Sequence, residues 1–350
     1  METRMSENNI QVDITQTVND ILKTIEQERE REIISRRFGL FDRKETLEQI
    51  GELLGITRER VRQLEKAILI KLKANAKAGK LPGLDSLQTI LKEAINDRGG
   101  VVKISDLSSY LTKDNSKNDQ SQVFFICEMC PDLVVITDND DYYQGVGILA
   151  LHDDRKIKEL VEHVVKTVST LGKQAKIETI AKADDNGQGV QQVRALASLS
   201  KKLATLNGQW GLIKWPTVNP KNIRDKIYVV LKENGKPLHF NEISKAIKQS
   251  DFKRKDVTTQ AIHNELIKDK RFVLIGRGIY ALKEWGYEKG TVSDIIADVL
   301  KKAGKPLHRD EIIKQVLKSR LVKETTILLN LQGKAQFKRV AKATYGLDKA

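Results

Sequence analysis

Apolar residues recur at helical spacing along the first part of the chain, and the polar residues between them supply the helix ends. From Thr15 the set Val18, Ile21, Leu22 and Ile25 predicts one helix. A charged run, EQERERE (26–32), precedes Ile33, Ile34 and Phe38 in a second helix that stops at Gly39; the run reads as a solvated face. Leu47, Ile50, Leu53 and Leu54 form one stripe, opened by Thr46 with Gln49 three residues on, the pattern of a capping box. Gly55 suits a left-handed helix exit, Ile56 makes a one-residue turn, and Thr57 caps the next helix. Its apolar face is Val61, Leu64, Ile68 and Leu72. Two short helices joined this tightly predict a helix-turn-helix over 46–73, inside a small helical domain at 15–76. Residues 74–86, ANAKAGKLPGLDS, mix Ala, Lys, Gly and Pro without period and read as a linker.

Further on, the chain repeats itself. KENGKPLHFNEISKAI (232–247) and KKAGKPLHRDEIIKQV (301–316) share GKPLHxxEI, and the glycines at 235 and 304 set a period of 69 residues, so one small domain occurs twice. The first copy, 222–287, reads as helices at 223–232, 241–248 and 258–268, then two β-rich runs around the turn GRG (276–278). Three helices and a two-stranded wing make a winged helix. The second copy, 292–347, has the same order and ends in QFKRVAKATYGL. Residues 87–149 and 155–216 fit the template more loosely; in the latter a helix is expected around QQVRALASLSKKLA (191–204). The expected fold is mainly α with small β wings: a helix-turn-helix domain followed by a string of winged-helix modules.

Charge narrows the partner. The 350 residues carry a formal net charge of +14, which favours polyanions. No stretch approaches the roughly 20 apolar residues of a membrane span, and METRMSENNIQ lacks a secretory layout, so a cytoplasmic, nucleoid-associated protein with no membrane partner is expected. The polar face at the start of the second motif helix carries Arg58, Glu59, Arg62 and Gln63, flanked by Thr57, Arg60 and Lys66. These are side chains that match base edges: Arg with guanine, Glu with the cytosine amino group, Gln with adenine. The N-terminal part of such a helix is also the part presented to the major groove. Lys253, Arg254 and Lys255 precede the third helix of the 222–287 copy, and Arg271 and Arg277 lie on its wing; phosphate contact is the expected role, against that of an ordinary solvated loop.

The remaining chemistry excludes more than it offers. Cys127 and Cys130 sit in the apolar run VFFICEMC with no third and fourth ligand at metal spacing, and read as buried thiols. His239 and His308 recur at one repeat position beside Leu at a helix entry, which favours a structural or capping role. Trp210, Trp215 and Trp285 fall in or beside wing strands and read as packing. The runs GKQ and GKP are too short for a Walker loop, and no nucleophile or metal-ligand set is present. No enzyme activity, metal or cofactor is expected.

The segment REREIISRRFGLFDRKETLEQIGELLGITRERVRQLEKAILIKLK (29–73) resembles the fourth conserved region of housekeeping-type bacterial sigma factors, over about an eighth of the chain. The resemblance rests on RRFGL (36–40), IGELLG and TRERVRQLE. It implies binding to the minus-35 promoter element and to the β-subunit flap of core RNA polymerase. It places base contacts on Arg58, Glu59 and Gln63, with Arg62 near the backbone. GKPLHFNEI with RFVLIGRGIYALKEWGY resembles the HARE-HTH winged helix, a module of the RNA polymerase delta subunit; the likeness is partial over 292–347, which lacks the tryptophan and any acidic tail. Only about 28 residues precede the sigma-like stretch, without the aromatic-rich melting domain of full sigma factors. A sigma-like regulator or accessory factor that binds promoter-type duplex DNA is therefore expected. The alternatives are a DNA-coating nucleoid protein and a polymerase-binding scaffold in which only the first domain touches DNA.

Overall fold

A computed structural model describes residues 13–252, 254–320 and 322–348. It divides into two compact units, residues 1–213 and 214–350.

The first unit opens with α1 (Ile14–Lys23), α2 (Glu28–Phe38), α3 (Leu47–Leu54) and α4 (Arg58–Lys77). The end signals act as the sequence predicts. Thr46 and Gln49 exchange both capping-box bonds, Gly55 takes the left-handed conformation at φ 64°, and the Thr57 hydroxyl accepts from Arg60 N. Ile33, Ile50 and Val61, one from each of α2, α3 and α4, form a small core closed by Leu47, Leu54, Ile56 and Leu64. Leu53 departs from its expected stripe and is 54% exposed. At 100° per residue it lies about 60° from Ile50, at the edge of what an eight-residue helix can bury against two neighbours.

The expected linker is not one. α4 continues through Lys77, and Ala76, Leu81 and Leu84 are buried. They belong to a core that runs from Ile14 in α1 to Ile148. Periodicity fades there because the segment turns through Gly79 and Gly83, both at positive φ, while its leucines still find partners.

Four sets of elements follow among the described residues, and each has the winged-helix order helix, strand, helix, helix, strand, strand. The first is α5 (Leu84–Asn96), β1 (Val101–Lys103), α6 (Ile104–Leu111), α7 (Lys117–Met129), β2 (Leu133–Ile136) and β3 (Gly145–Ile148). The second is α8 (Asp154–Leu171), β4 (Ala175–Lys176), α9 (Ile177–Ala183), α10 (Val190–Leu199), β5 (Leu203–Leu206) and β6 (Gln209–Leu212). In the second unit stand α11 (Ile223–Asn234), β7 (Leu238–His239), α12 (Phe240–Gln249), α13 (Thr259–Lys268), β8 (Phe272–Gly276) and β9 (Ile279–Leu282). The last set is α14 (Val292–Ala303), β10 (Leu307–His308), α15 (Arg309–Ser319), α16 (Glu324–Gly333), β11 (Phe337–Ala341) and β12 (Thr344–Leu347). Every set closes a three-stranded antiparallel sheet with its last strand in the middle. The third strand, two or three residues ahead of the second helix, is too short to announce itself in the sequence.

The third helices of the first two sets are covered. α7 buries Gln122 through Cys127 and Met129. Phe125 meets Phe38 of α2 edge-on at 5.1 Å, and Gln122 bonds Thr15 Oγ1 and Leu40 O, both at 2.9 Å. α10 lies against the first set in turn: Tyr143 N donates to Leu199 O and Lys201 N to Asp141 O, each at 2.8 Å. This pairing ends the helix at Leu199, five residues short of the expected Ala204, and SKKLA turns into β5. A Cβ on Gly99 would stand 2.7 Å from the backbone of Gln192, so the two sets approach as closely as a glycine allows. His239 and His308 cap α12 and α15, accepting at Nδ1 from Asn241 N and Asp310 N.

Candidate nucleic-acid interface

The polar residues at the start of α4 all lie in water. Thr57, Arg58, Glu59, Arg60, Arg62, Gln63 and Lys66 are exposed, while Val61, Ile68 and Leu72 hold the opposite side of the helix in core. At 100° per residue, Arg58, Glu59, Arg62, Gln63 and Lys66 share an arc of about 140°, and Arg60 falls about 60° beyond it. Arg60 therefore flanks the face instead of standing on it.

The structure adds a partnership that spacing alone does not reveal. Arg62 grips the Glu59 carboxylate with both ends of its guanidinium, Nε to Oε2 at 2.8 Å and Nη2 to Oε1 at 2.6 Å. Gln63 Nε2 adds a third donor at 3.3 Å. The Arg62 hydrogen bond, with its charge, holds the Glu59 carboxyl below its ordinary 4.5, and the same bond raises Arg62. Three of the candidate side chains thus form one exposed cluster whose carboxylate is ionised and already occupied.

Conserving the position of α4 falls to residues outside that face. Arg29 Nη2 donates to Leu54 O at 2.6 Å, satisfying a carbonyl at the end of α3. Arg37 Nε bonds Glu65 of α4 at 3.2 Å, and its Nη1 reaches Glu45 O at 3.3 Å, just before the α3 cap. Arg36 pairs with Glu45 at 2.9 Å. Arg37 also lines a shallow hollow with Thr46, Leu47, Glu48 and Arg58 at the start of α3. Arg37 was not among the expected contacts; two neighbouring arginines in the RRFGL run were the available signal. Gly51 is the tightest point of the motif. A Cβ there would lie 2.7 Å from Ile56 O, so α3 and the turn into α4 meet backbone to backbone.

This is a helix-turn-helix whose second helix starts free, polar and braced from behind. Residues 27–74 match the family described as Sigma-70, region 4. RNA polymerase sigma factor SigA from Bacillus sp is 41% identical over 69 residues, 19% of this chain and 18% of that protein. The chain thus spans less than a fifth of the length of the curated relative it matches. The segment is similar to a family of DNA-binding, transcription-related helix-turn-helix domains, a domain type that binds and does not catalyse.

The other expected contacts fare differently. Arg271 is not available on its wing: its guanidinium bonds Asp269 at 2.7 Å and Asp225 at 3.2 Å and lies over the Tyr228 ring. Arg277 is exposed at the GRG turn. Lys253 lies outside the described residues. Arg254 is exposed at φ 54°, with its carbonyl accepting from Lys226 Nζ at 2.7 Å, and Lys255 Nζ reaches back to Ser250 O at 3.3 Å. Cys127 and Cys130 are both buried in the core around α7, and burial pushes the Cys130 thiol up to about 12. No described helix is long and apolar enough to cross a membrane.

Proposed function

We propose that the protein is a sigma-like regulator or accessory factor of RNA polymerase that reads promoter-type DNA with α4. The observation that carries this is the exposed cluster of Arg58, Glu59, Arg62 and Gln63 at the start of a braced helix, in a segment similar to Sigma-70 region 4. Arg58, Glu59 and Gln63 make the base-edge contacts, with Glu59 exchanging part of its hold on Arg62 for a cytosine amino group. Arg62, released toward the edge of the groove, then meets phosphate, as do Thr57, Arg60 and Lys66. The hollow between Arg37 and Arg58 at the α3 N-terminus suits a further phosphate.

Core polymerase is the second partner in this reading. Further along α4, on the same side of the helix as Arg62 and Lys66, a hollow is lined by Arg62, Glu65, Lys66, Leu69, Ile70 and Lys73, with Ile70 60% exposed, an apolar contact for a protein such as the β-subunit flap. The regions 87–149, 155–216, 222–287 and 292–347 are read as winged-helix domains, the last two of the HARE-HTH kind. Lys253, Arg254 and Lys255 add phosphate contacts beside the third of them. A cytoplasmic protein at the nucleoid follows from these partners.

Selection from random duplex DNA tests the reading directly. The parent should yield one motif, and Glu59→Ala should relax it at a single position, a loss of about 1–3 kcal/mol of discrimination there. An identical motif from both proteins would remove α4 from the groove. With core polymerase on a promoter, the minus-10 thymines should stay unreactive to permanganate, since the resemblance covers the promoter-reading region and no melting region. Reactive thymines would make it an initiation factor.

A further inference from the structure

The positive charge of this protein is confined to one unit. Residues 214–350 hold 30 lysines and arginines against 15 acids, whereas residues 1–213 hold 31 against 32. The first winged set is acidic, with 5 basic and 11 acidic residues over 84–149. Its third helix and that of the second set are spent on packing, as the burial of α7 and α10 shows. The second set is basic, with 10 lysines and arginines against 6 acids over 154–213, but neither set presents a free third helix to a polyanion.

Within the second unit the charge concentrates on the hairpin of β11 and β12. Lys334, Lys338, Arg339 and Lys342 are all exposed, and the sequence holds no acid between Glu324 and Asp348. None of the four has a carboxylate partner among the described residues; Arg339 donates only to Ala341 O, at 3.3 Å. The preceding copy of the fold is different at the same place. There Arg271 is locked by two aspartates and the exposed strand residue is Leu274, which leaves Arg277 alone at the tip. The two copies share a backbone order and differ in what their wings offer.

The strand geometry adds direction. Neighbouring residues of a strand face opposite sides of the ribbon. Lys338 and Arg339 are neighbours, yet both are exposed, and Val340 and Ala341 after them are exposed too. Beyond Phe337, which is buried, the edge strand β11 therefore stands in water with a cation on each face and Lys342 at the turn, while β12 stays in the core through Tyr345. An exposed edge strand charged on both faces, with a further cation at its turn, fits between two rows of anions better than against one flat acidic surface. The grooves of duplex DNA, about 6 and 12 Å wide and walled by phosphates, have that form. The hairpin's two aromatic rings, Phe337 and Tyr345, are both buried, so no ring is offered for stacking on the bases of a single strand.

We propose that the β11–β12 hairpin is a second, sequence-independent DNA contact, in which Lys338, Arg339 and Lys342 hold phosphates on both walls of a duplex groove. It goes beyond the region 4 reading and does not need it.

The test uses the full chain and a fluorescent duplex of random sequence, with affinity followed against salt. Each lost phosphate contact flattens the slope of log affinity on log salt by about 0.9. Lys338→Ala/Arg339→Ala/Lys342→Ala should flatten it by roughly two to three units. Lys338→Arg/Lys342→Arg should retain the parent slope, which separates charge from any loss of folding. Lys173→Ala/Lys176→Ala/Lys182→Ala, three exposed lysines of the second set, should leave it unchanged. An unchanged slope in the hairpin variant overturns the proposal. Equal flattening in the second-set variant overturns it as well, since binding would then follow total charge. So does single-stranded DNA or an acidic protein depending on the three side chains as strongly as the duplex does. Repeating the series with Arg58→Ala/Glu59→Ala/Gln63→Ala separates the two DNA contacts: the hairpin effect should persist there, and its disappearance would refute an independent site. Failure of the parent to select any motif would count against the α4 reading alone.

Discussion

Replacing Gly51 with alanine sets two local effects against each other, and the structure says which prevails. Alanine is favoured over glycine inside a helix by about 0.8–1.0 kcal/mol, so propensity alone predicts that α3 gains stability. The new Cβ would stand 2.7 Å from Ile56 O, 3.4 Å from Arg58 N and 3.6 Å from Thr57 C, and all three atoms are backbone. No rotamer change relieves such a contact; the turn between α3 and α4 has to move. Overpacking of this kind costs about 1–3 kcal/mol. Taking about 2 for the clash and about 1 for propensity leaves α3 destabilised by about 1 kcal/mol, a roughly five-fold rise in local opening at 1.4 kcal/mol per decade. Hydrogen exchange reads this directly at the Ile56 amide, which donates to Gly51 O at 2.9 Å, and at Val61, which donates to Thr57 O. Both should exchange faster, while amides of α14 in the second unit should not change. Gly55→Ala supplies the contrast. Its Cβ would meet nothing within 4 Å, but its φ of 64° costs alanine about 1–2 kcal/mol. Slower exchange at Ile56 in Gly51→Ala would refute the close approach and leave propensity in charge.

Phe125→Ala should cost about 3–5 kcal/mol, as large-to-small changes of buried aromatics do, and should loosen α2 together with the first winged set because Phe125 packs on Phe38; exchange confined to 84–149 would contradict the shared core. Cys127 and Cys130, buried and neutral at pH 8, should resist alkylation until global unfolding, so rapid labelling of the native protein would contradict their placement. Burial pushes the Asp269 carboxyl up, but the Arg271 hydrogen bonds and charge outweigh it and leave it below 3.8. That stabilisation is present above pH 3.8 and lost as pH falls through the lower folded value, so Arg271→Ala should weaken residues 214–350 at pH 7 and reduce their acid dependence below about pH 4; circular dichroism against pH would show an unchanged profile if the pairing is idle.

Sequence by itself determined the local geometry of the helix-turn-helix. Thr46 with Gln49, Gly55 and Thr57 are self-contained signals, because a cap is satisfied by backbone within three or four residues. The three-residue reach of those bonds explains why the motif and its exposed Arg58, Glu59 and Gln63 were legible. The 69-residue period likewise announced two copies of one element order, since identical patterning in one chain folds alike. Tertiary structure decided what each face touches. Periodicity shows that α7 has a long apolar run, but only the packed chain shows that α1, α2 and α4 cover it, turning a helix in the reading position of a winged helix into a brace. The same long-range packing absorbed residues 74–86 into the core and left Leu53 in water. Charge followed the same division. Counting residues gives +14 for the chain, but whether a given arginine is free depends on its surroundings in space: Arg271 is held by Asp269, two residues earlier, and also by Asp225, 46 residues earlier, while Arg339 has no carboxylate partner among the described residues. An ion pair is a through-space contact, and a local pattern can encode only those partners, such as Asp269, that also lie nearby in sequence.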